Sequence, residues 1–145
     1  MKKLLYIALC CLLLAGCGQK APDPAVLGPA LLEGAGFPEG MAALSGDMTA
    51  AVFRVDMDTV SACYAAVSGG AGADELMVLT AGEEEAAEAV YDLLEARIAY
   101  RRDSFADYSP AEAAKLEDAI LTREGCTVIY CVCPDPDAAR EIIRN

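Results

Sequence analysis

The longest periodic stretch of the chain runs from Glu83 to Phe105, where Ala87, Val90, Tyr91, Leu94, Ile98 and Phe105 recur at helical intervals. That spacing places them along one side of a helix, with Glu85, Glu88, Asp92, Glu95 and Arg102 on the other. Acids gather toward the start of this helix and arginines toward its end, which complements the helix dipole.

Around it the pattern is shorter and mostly extended. Val60 to Ser68 alternates as a strand, with Val60, Ala62, Tyr64 and Ala66 on one face. The Gly-rich segment Gly69–Asp74 is a loop, and Glu75 to Thr80 returns as the second strand of a hairpin. Ala119–Arg123 and Cys126–Cys133 predict a second hairpin, turning at Glu124-Gly125. Ser109-Pro110-Ala111-Glu112 has the form of a capping box and opens a short helix to about Leu116. Asp135-Pro136 begins a last helix, Asp137 to Ile143. Toward the N-terminus a helix over Ala25–Glu33 is interrupted at Gly28-Pro29. A loop then runs to Gly46, and Asp47 caps a short helix to Arg54.

These elements predict an α+β domain. Its four-stranded antiparallel sheet is built from two ββα units and packed by one long helix, with short N-terminal helices before it. The helix starts Glu85-Ala86-Ala87-Glu88-Ala89-Val90 and Asp137-Ala138-Ala139-Arg140-Glu141-Ile142 resemble one another. They mark either a duplicated ββα unit or the ordinary acidic first turn of any helix.

The first residues follow another logic. Lys2 and Lys3 precede an apolar run from Leu4 to Leu14, eleven residues long. That is about half of the ~20 needed to span a bilayer, and it is the length of a signal-peptide core. The run ends Leu14-Ala15-Gly16-Cys17, which resembles the lipobox of bacterial lipoproteins. The resemblance implies a signal peptide over 1–16, cleavage before Cys17, and a diacylglyceryl thioether on the Cys17 thiol. Two acyl chains suffice for stable anchoring. Residues 17–24 form the lipidated cysteine and a short tether, and at ~3.5 Å per extended residue the seven that follow Cys17 reach about 25 Å. Residues 25–145 form the single globular domain. The expected location is extracytoplasmic, anchored by lipid to the bacterial cell membrane.

Charge narrows the partners. Without residues 1–16 the chain carries 9 basic and 23 acidic side chains, a formal charge of −14. Such a surface repels phosphate backbones and anionic headgroups, so nucleic acid is not an expected partner. The membrane is met through the lipid alone. Histidine is absent from the sequence. That removes Ser-His-Asp and Cys-His nucleophile schemes and the usual zinc hydrolase sites. Beyond Cys17, four cysteines remain: Cys63, Cys126, Cys131 and Cys133. An even number in an exported domain permits disulfides, in three connectivities.

Several segments resemble a known family. They are Ser104-Phe105-Ala106-Asp107-Tyr108-Ser109-Pro110, Lys115-Leu116-Glu117-Asp118-Ala119, the Gly125 hairpin, Arg97 within Leu94-Glu95-Ala96-Arg97, and Asp74-Glu75-Leu76. Together they are similar to a lipoprotein family of Gram-positive bacteria known as domain of unknown function 4358. The resemblance covers about residues 25 to 145 and implies no activity. Cys131 and Cys133 depart from it, since such proteins more usually carry aliphatic or small residues there.

Two constellations compete as sites. Cys131 and Cys133 lie two apart on a strand and share a face, so paired thiolates there would bind a soft metal or exchange disulfides. The plainer reading is core packing or a structural disulfide, because cysteine behaves as a small hydrophobe. Arg97 and Arg101, four apart on the long helix, fall on or beside the apolar stripe. With Tyr108 they form a candidate interaction surface for a carboxylate or acidic segment. The plainer reading is snorkelling plus an internal ion pair with Glu117 or Asp118. The acid runs at Glu83–Glu85 and Asp135–Asp137 lack the loop of a calcium site and read as caps. The expectation is therefore a non-catalytic binding or structural module of the cell envelope, with no catalytic residue, cofactor or metal. Its partner would be an envelope protein or a small ligand. The alternative is a thiol-redox or metal-binding protein using Cys131 and Cys133.

Overall fold

The computed structural model describes residues 20–145. The proposed signal peptide over 1–16 and the lipidation site Cys17 lie outside the described residues.

The first helix, α1 (Pro24–Gly34), starts where Asp23 accepts a hydrogen bond from the Ala25 N–H at 2.9 Å, with Pro24 at its first position. It runs through Pro29 without the expected break. Gly28, one residue earlier, sits against Tyr64. A Cβ there would overlap the Tyr64 ring and lie 2.7 Å from the Tyr64 Cβ, so only glycine allows this approach.

The loop expected next contains a fifth strand. Met41–Ala43 (β1) pairs antiparallel with β2 (Val60–Ser68), from Met41↔Ser68 to Ala43↔Ala66. Three residues are too few to display alternation, which is why the pattern hides it. Helix α2 (Gly46–Phe53) is capped by Ser45 rather than Asp47, and ends at Arg54 in the left-handed conformation at φ 60°.

β2 pairs antiparallel with β3 (Glu75–Ala81), and the register shifts between Val60 and Ala62. The bulge reverses the facing of Val60, which packs with Cys63 and Val67 rather than with Tyr64 and Ala66. The long helix α3 spans Glu84–Ala106, and α4 spans Pro110–Glu117. Ser109 precedes α4, but its side chain makes no capping bond. The expected capping box does not form, because Glu112 is drawn away to the Gly-rich loop. β4 (Ile120–Glu124) and β5 (Thr127–Val132) pair through Glu124↔Thr127. The two-residue turn is thus Gly125-Cys126, one residue later than expected, with Gly125 at φ 54°. Helix α5 (Pro136–Arg144) begins where Asp135 accepts from the Ala138 N–H at 3.0 Å.

The sheet order is β1-β2-β3-β5-β4, antiparallel throughout. The α+β class and the two hairpins stand, and the strand number is five rather than four. Nearly every residue of β3 and β5 is buried, since both faces of the sheet are covered. On one face Met77, Leu79, Val128 and Tyr130 pack with Ala87, Val90 and Leu94 of α3 and Leu116 of α4. On the other, Leu76, Val78, Ile129 and Cys131 pack with Leu27 and Leu31 of α1 and Ala139 of α5. The helices after the two hairpins thus lie on opposite faces. A two-fold axis relating adjacent antiparallel hairpins stands perpendicular to the sheet and would put both helices on one face. The two hairpin-helix units are therefore not related by that two-fold, and acidic first-turn chemistry is enough to account for the likeness of their helix starts.

Candidate functional site: a buried ion cluster at the head of the central strand

β3 enters the sheet through two consecutive carboxylates. Asp74 and Glu75 are both about as buried as the core, at 3% exposure each. Successive strand residues point to opposite faces. Glu75 shares the α3 face with Met77 and Leu79, and there meets Arg97, Arg101 and Tyr130.

The Glu75 carboxylate is saturated. Arg97 donates from Nε to Oε2 at 2.8 Å and from Nη2 to Oε1 at 2.6 Å. Arg101 Nη1 lies 2.9 Å from Oε1, and the Tyr130 hydroxyl donates to Oε2 at 2.9 Å. Register explains the tyrosine: Glu75 pairs with Val132 and Met77 with Tyr130, so Tyr130 is the diagonal neighbour on the same face. Two further donors reach backbone. Arg97 Nη1 donates to the Val52 carbonyl at 3.0 Å and Arg101 Nη2 to that of Gly72 at 3.2 Å. The Arg101 Nε is buried without a partner. Each guanidinium also lies over a ring, Arg97 4.8 Å from the Phe53 centroid and Arg101 5.4 Å from that of Phe105.

Next to this pair sits a second. Lys115 Nζ donates to both oxygens of Asp74, at 3.2 and 3.0 Å, and to Glu112 Oε2 at 3.1 Å. Glu112 Oε2 accepts in turn from the Ala73 N–H at 2.6 Å. Three acids thus face three bases, and the group fastens the end of the Gly-rich loop to α3 and α4.

The electrostatics follow from these contacts. Burial alone would lower the Arg97 pKa, but the Glu75 hydrogen bonds and charge outweigh it and hold it above the ordinary value. Lys115 behaves alike: burial lowers it, and bonds to Asp74 and Glu112 raise it further. Burial would raise the Glu112 carboxyl, yet the Ala73 N–H and Lys115 pull it below the usual range. Burial, with the Glu75 charge beside it, pushes the Tyr130 phenol well above its ordinary value, so it remains a donor. Glu75 thus accepts three hydrogen bonds and lies 2.9 Å from the Arg101 guanidinium. These contacts tie the start of β3 to α3 and to β5.

The sequence-based candidates are distributed as follows. Arg97 and Arg101 do form an internal ion pair, but with Glu75 rather than Glu117 or Asp118. Tyr108 is 66% exposed, and its ring stacks at 5.3 Å on Phe105, the ring beneath Arg101. Glu75, Asp74, Glu112, Lys115 and Tyr130 were missed as a group. A signal existed: two arginines on an apolar stripe demand a buried carboxylate, and Asp74-Glu75 opens the most apolar strand.

Cys63, Cys126, Cys131 and Cys133 are free thiols. Cys131 and Cys133 lie in the apolar layer under α1 and α5. The hydrogen bond to Cys133 raises the Cys131 pKa, and burial adds to it. The same bond, with the Asp135 N–H, lowers that of Cys133 against its burial. Burial pushes Cys63 up to about 11. Among the described residues no group of three or more Cys, Asp or Glu is arranged to hold a metal ion, and no helix is long and apolar enough to cross a membrane.

The fold and this cluster define a class: an α+β domain with a buried cluster of three acids and three bases at the head of its central strand. The chain belongs to the family described as Domain of unknown function (DUF4358), which it matches over residues 36–133. That span holds all five strands, the whole ion cluster, α3 and α4. Comparison with curated proteins and with solved structures finds no match.

Proposed function

We propose that the chain is an extracytoplasmic lipoprotein, attached through lipid on Cys17, whose domain is a non-catalytic binding or structural module of the cell envelope. The observation that carries the second half is the saturation of Glu75 by Arg97, Arg101 and Tyr130. The most concentrated ionisable groups of the domain are committed to each other, and their chemistry is spent on holding β3, α3 and α4 together. The lipobox-like Leu14-Ala15-Gly16-Cys17 supports the first half. The short tether keeps the domain near its membrane. The acidic balance favours a protein or small envelope ligand over nucleic acid.

Tyr108 is the exposed member of the Arg97, Arg101 and Tyr108 surface, its ring packed on the Phe105 ring that Arg101 covers. A photo-crosslinking residue at Tyr108 in intact cells should give one defined adduct with an envelope protein. Purified protein that turns over an envelope substrate, and loses this on one carboxylate or cysteine substitution, would replace the reading by an enzymatic one. Metabolic labelling with a palmitate analogue tests the anchor. Label should enter the wild type and not Cys17→Ser; a labelled Cys17→Ser protein overturns the attachment.

A further inference from the structure

Among the described residues the sheet ends at β4, whose five residues pair on one side with β5 alone. The closing turn has two residues, so Glu124 and Thr127 form the hydrogen-bonded pair that flanks it. By alternation Thr122 also bonds to β5, while Leu121 and Arg123 direct their N–H and C=O groups away from the sheet. Thr122, Arg123 and Glu124 are exposed. The opposite edge is poorer: β1 is three residues long and carries no charge. Along β4, against α3, runs a cleft of about 550 Å³ walled by Glu88, Tyr91 and Asp92 on the helix side. Glu84 stands one turn earlier on α3, with Oε1 4.0 Å from where a Cβ on Gly125 would sit. Glu84, Glu88 and Asp92 are spaced four apart and form an acidic row beside an edge of backbone unpaired among the described residues. Arg123 lines the same cleft as its one cation and is turned to the Gly125 carbonyl at 3.3 Å.

The geometry points to β4 as a docking edge for an extended, basic segment of a partner protein, which adds to the sheet as a sixth strand. Backbone bonds to Leu121 and Arg123 would supply the affinity. Alternate side chains of the added strand would fall on the α3 side, beside the acidic row, so Lys or Arg at every second position fits it. A second copy of this chain fits badly, because pairing β4 with itself sets two acidic rows against one another. The inference rests on the reading of the domain as a binding module and names the class of partner.

The test uses the full-length protein in detergent micelles and a fluorescent peptide of about seven residues alternating Lys and Thr. Three results are expected. Anisotropy reports saturable, salt-sensitive binding, absent for a Glu-Thr peptide of equal length. Backbone N-methylation of alternate peptide residues, which leaves the protein untouched, weakens binding roughly tenfold or more through lost hydrogen bonds. Glu88→Lys with Asp92→Lys does the same. No binding of the Lys-Thr peptide overturns the proposal. So does binding indifferent to N-methylation, which would be unspecific charge attraction, and so does self-association through β4. A photo-crosslinker at Thr122 separates this from the broader reading. If Tyr108 captures an envelope protein while Thr122 captures none, the module stands and the β4 edge falls.

Discussion

Arg97 meets Glu75 with two parallel hydrogen bonds, Nε to Oε2 at 2.8 Å and Nη2 to Oε1 at 2.6 Å, across 22 residues of sequence. The carboxylate is 3% exposed. Removing one partner of such a pair leaves a buried charge uncompensated, and that is the costly event. Arg97→Ala should lower unfolding free energy by about 3 kcal/mol, part of the loss being cushioned by Arg101. Arg97→Lys keeps the charge but not the fork, and should fall between wild type and alanine. The double change with Arg101→Ala should prevent stable folding. Urea unfolding followed by far-UV circular dichroism measures all three. A double variant as stable as wild type would free both arginines for a partner.

The Glu112–Lys115–Asp74 group makes stability depend on pH from both sides. The Glu112 carboxyl is depressed, so its contribution is complete above the unfolded value of ~4.3 and lost as pH falls through the folded one. The Lys115 amine is raised, so its contribution is complete below ~10.4 and lost as pH rises through its folded value. Both side chains are partly solvated, at 20% and 24%, so the effect is modest. Glu112→Gln should flatten the acid limb of a urea-midpoint profile between about pH 5 and 3. Parallel wild-type and variant profiles would show that Glu112 titrates as it does in the unfolded chain.

The apolar face of α3 carries the larger core. Leu94 is completely buried against the sheet, whereas Glu88 on the outer face is exposed. Leu94→Ala should cost about 2–5 kcal/mol, transfer and cavity terms together. Glu88→Ala should stay within roughly 0.5 kcal/mol. Differential scanning calorimetry of the two variants decides it, and equal effects would contradict the facing of the helix.

How much of this was legible in the sequence depended on range. α3, both hairpins and α5 were readable because each rests on local periodicity or on a cap within four residues. β1 was not, since three residues show no alternation and their strand character comes from pairing with Ala66–Ser68. The β2 bulge was invisible for a similar reason: Val60 reverses only because it pairs with Ala81 while Ala62 pairs with the adjacent Thr80. At the site, the sequence showed that Arg97 and Arg101 needed an explanation. Glu75 lies 22 residues away, and only the β3–β5 register brings Tyr130 beside it. Long-range pairing leaves no mark in a local pattern.

The thiols provide the last prediction, and with it the choice between a packed core and thiol chemistry. Thiolate, not thiol, reacts, so rate follows pKa and access together. Burial holds Cys63 at about 11, and Cys131 is raised by its bond to Cys133 and by burial. Cys133 is the exception in pKa, lowered by that bond, but it is only 3% exposed beneath the α1 and α5 layer. Access should therefore dominate. In native protein at about pH 8, iodoacetamide should label Cys126 in its hairpin turn first. Cys63, Cys131 and Cys133 should follow only after denaturation. Peptide mass mapping of both samples gives the order directly. Rapid native labelling of Cys133, or loss of the Cys131 and Cys133 thiols together on mild oxidation with the fold retained, would favour the redox reading. Slow labelling of both makes them what the apolar layer suggests, two small hydrophobes in the core.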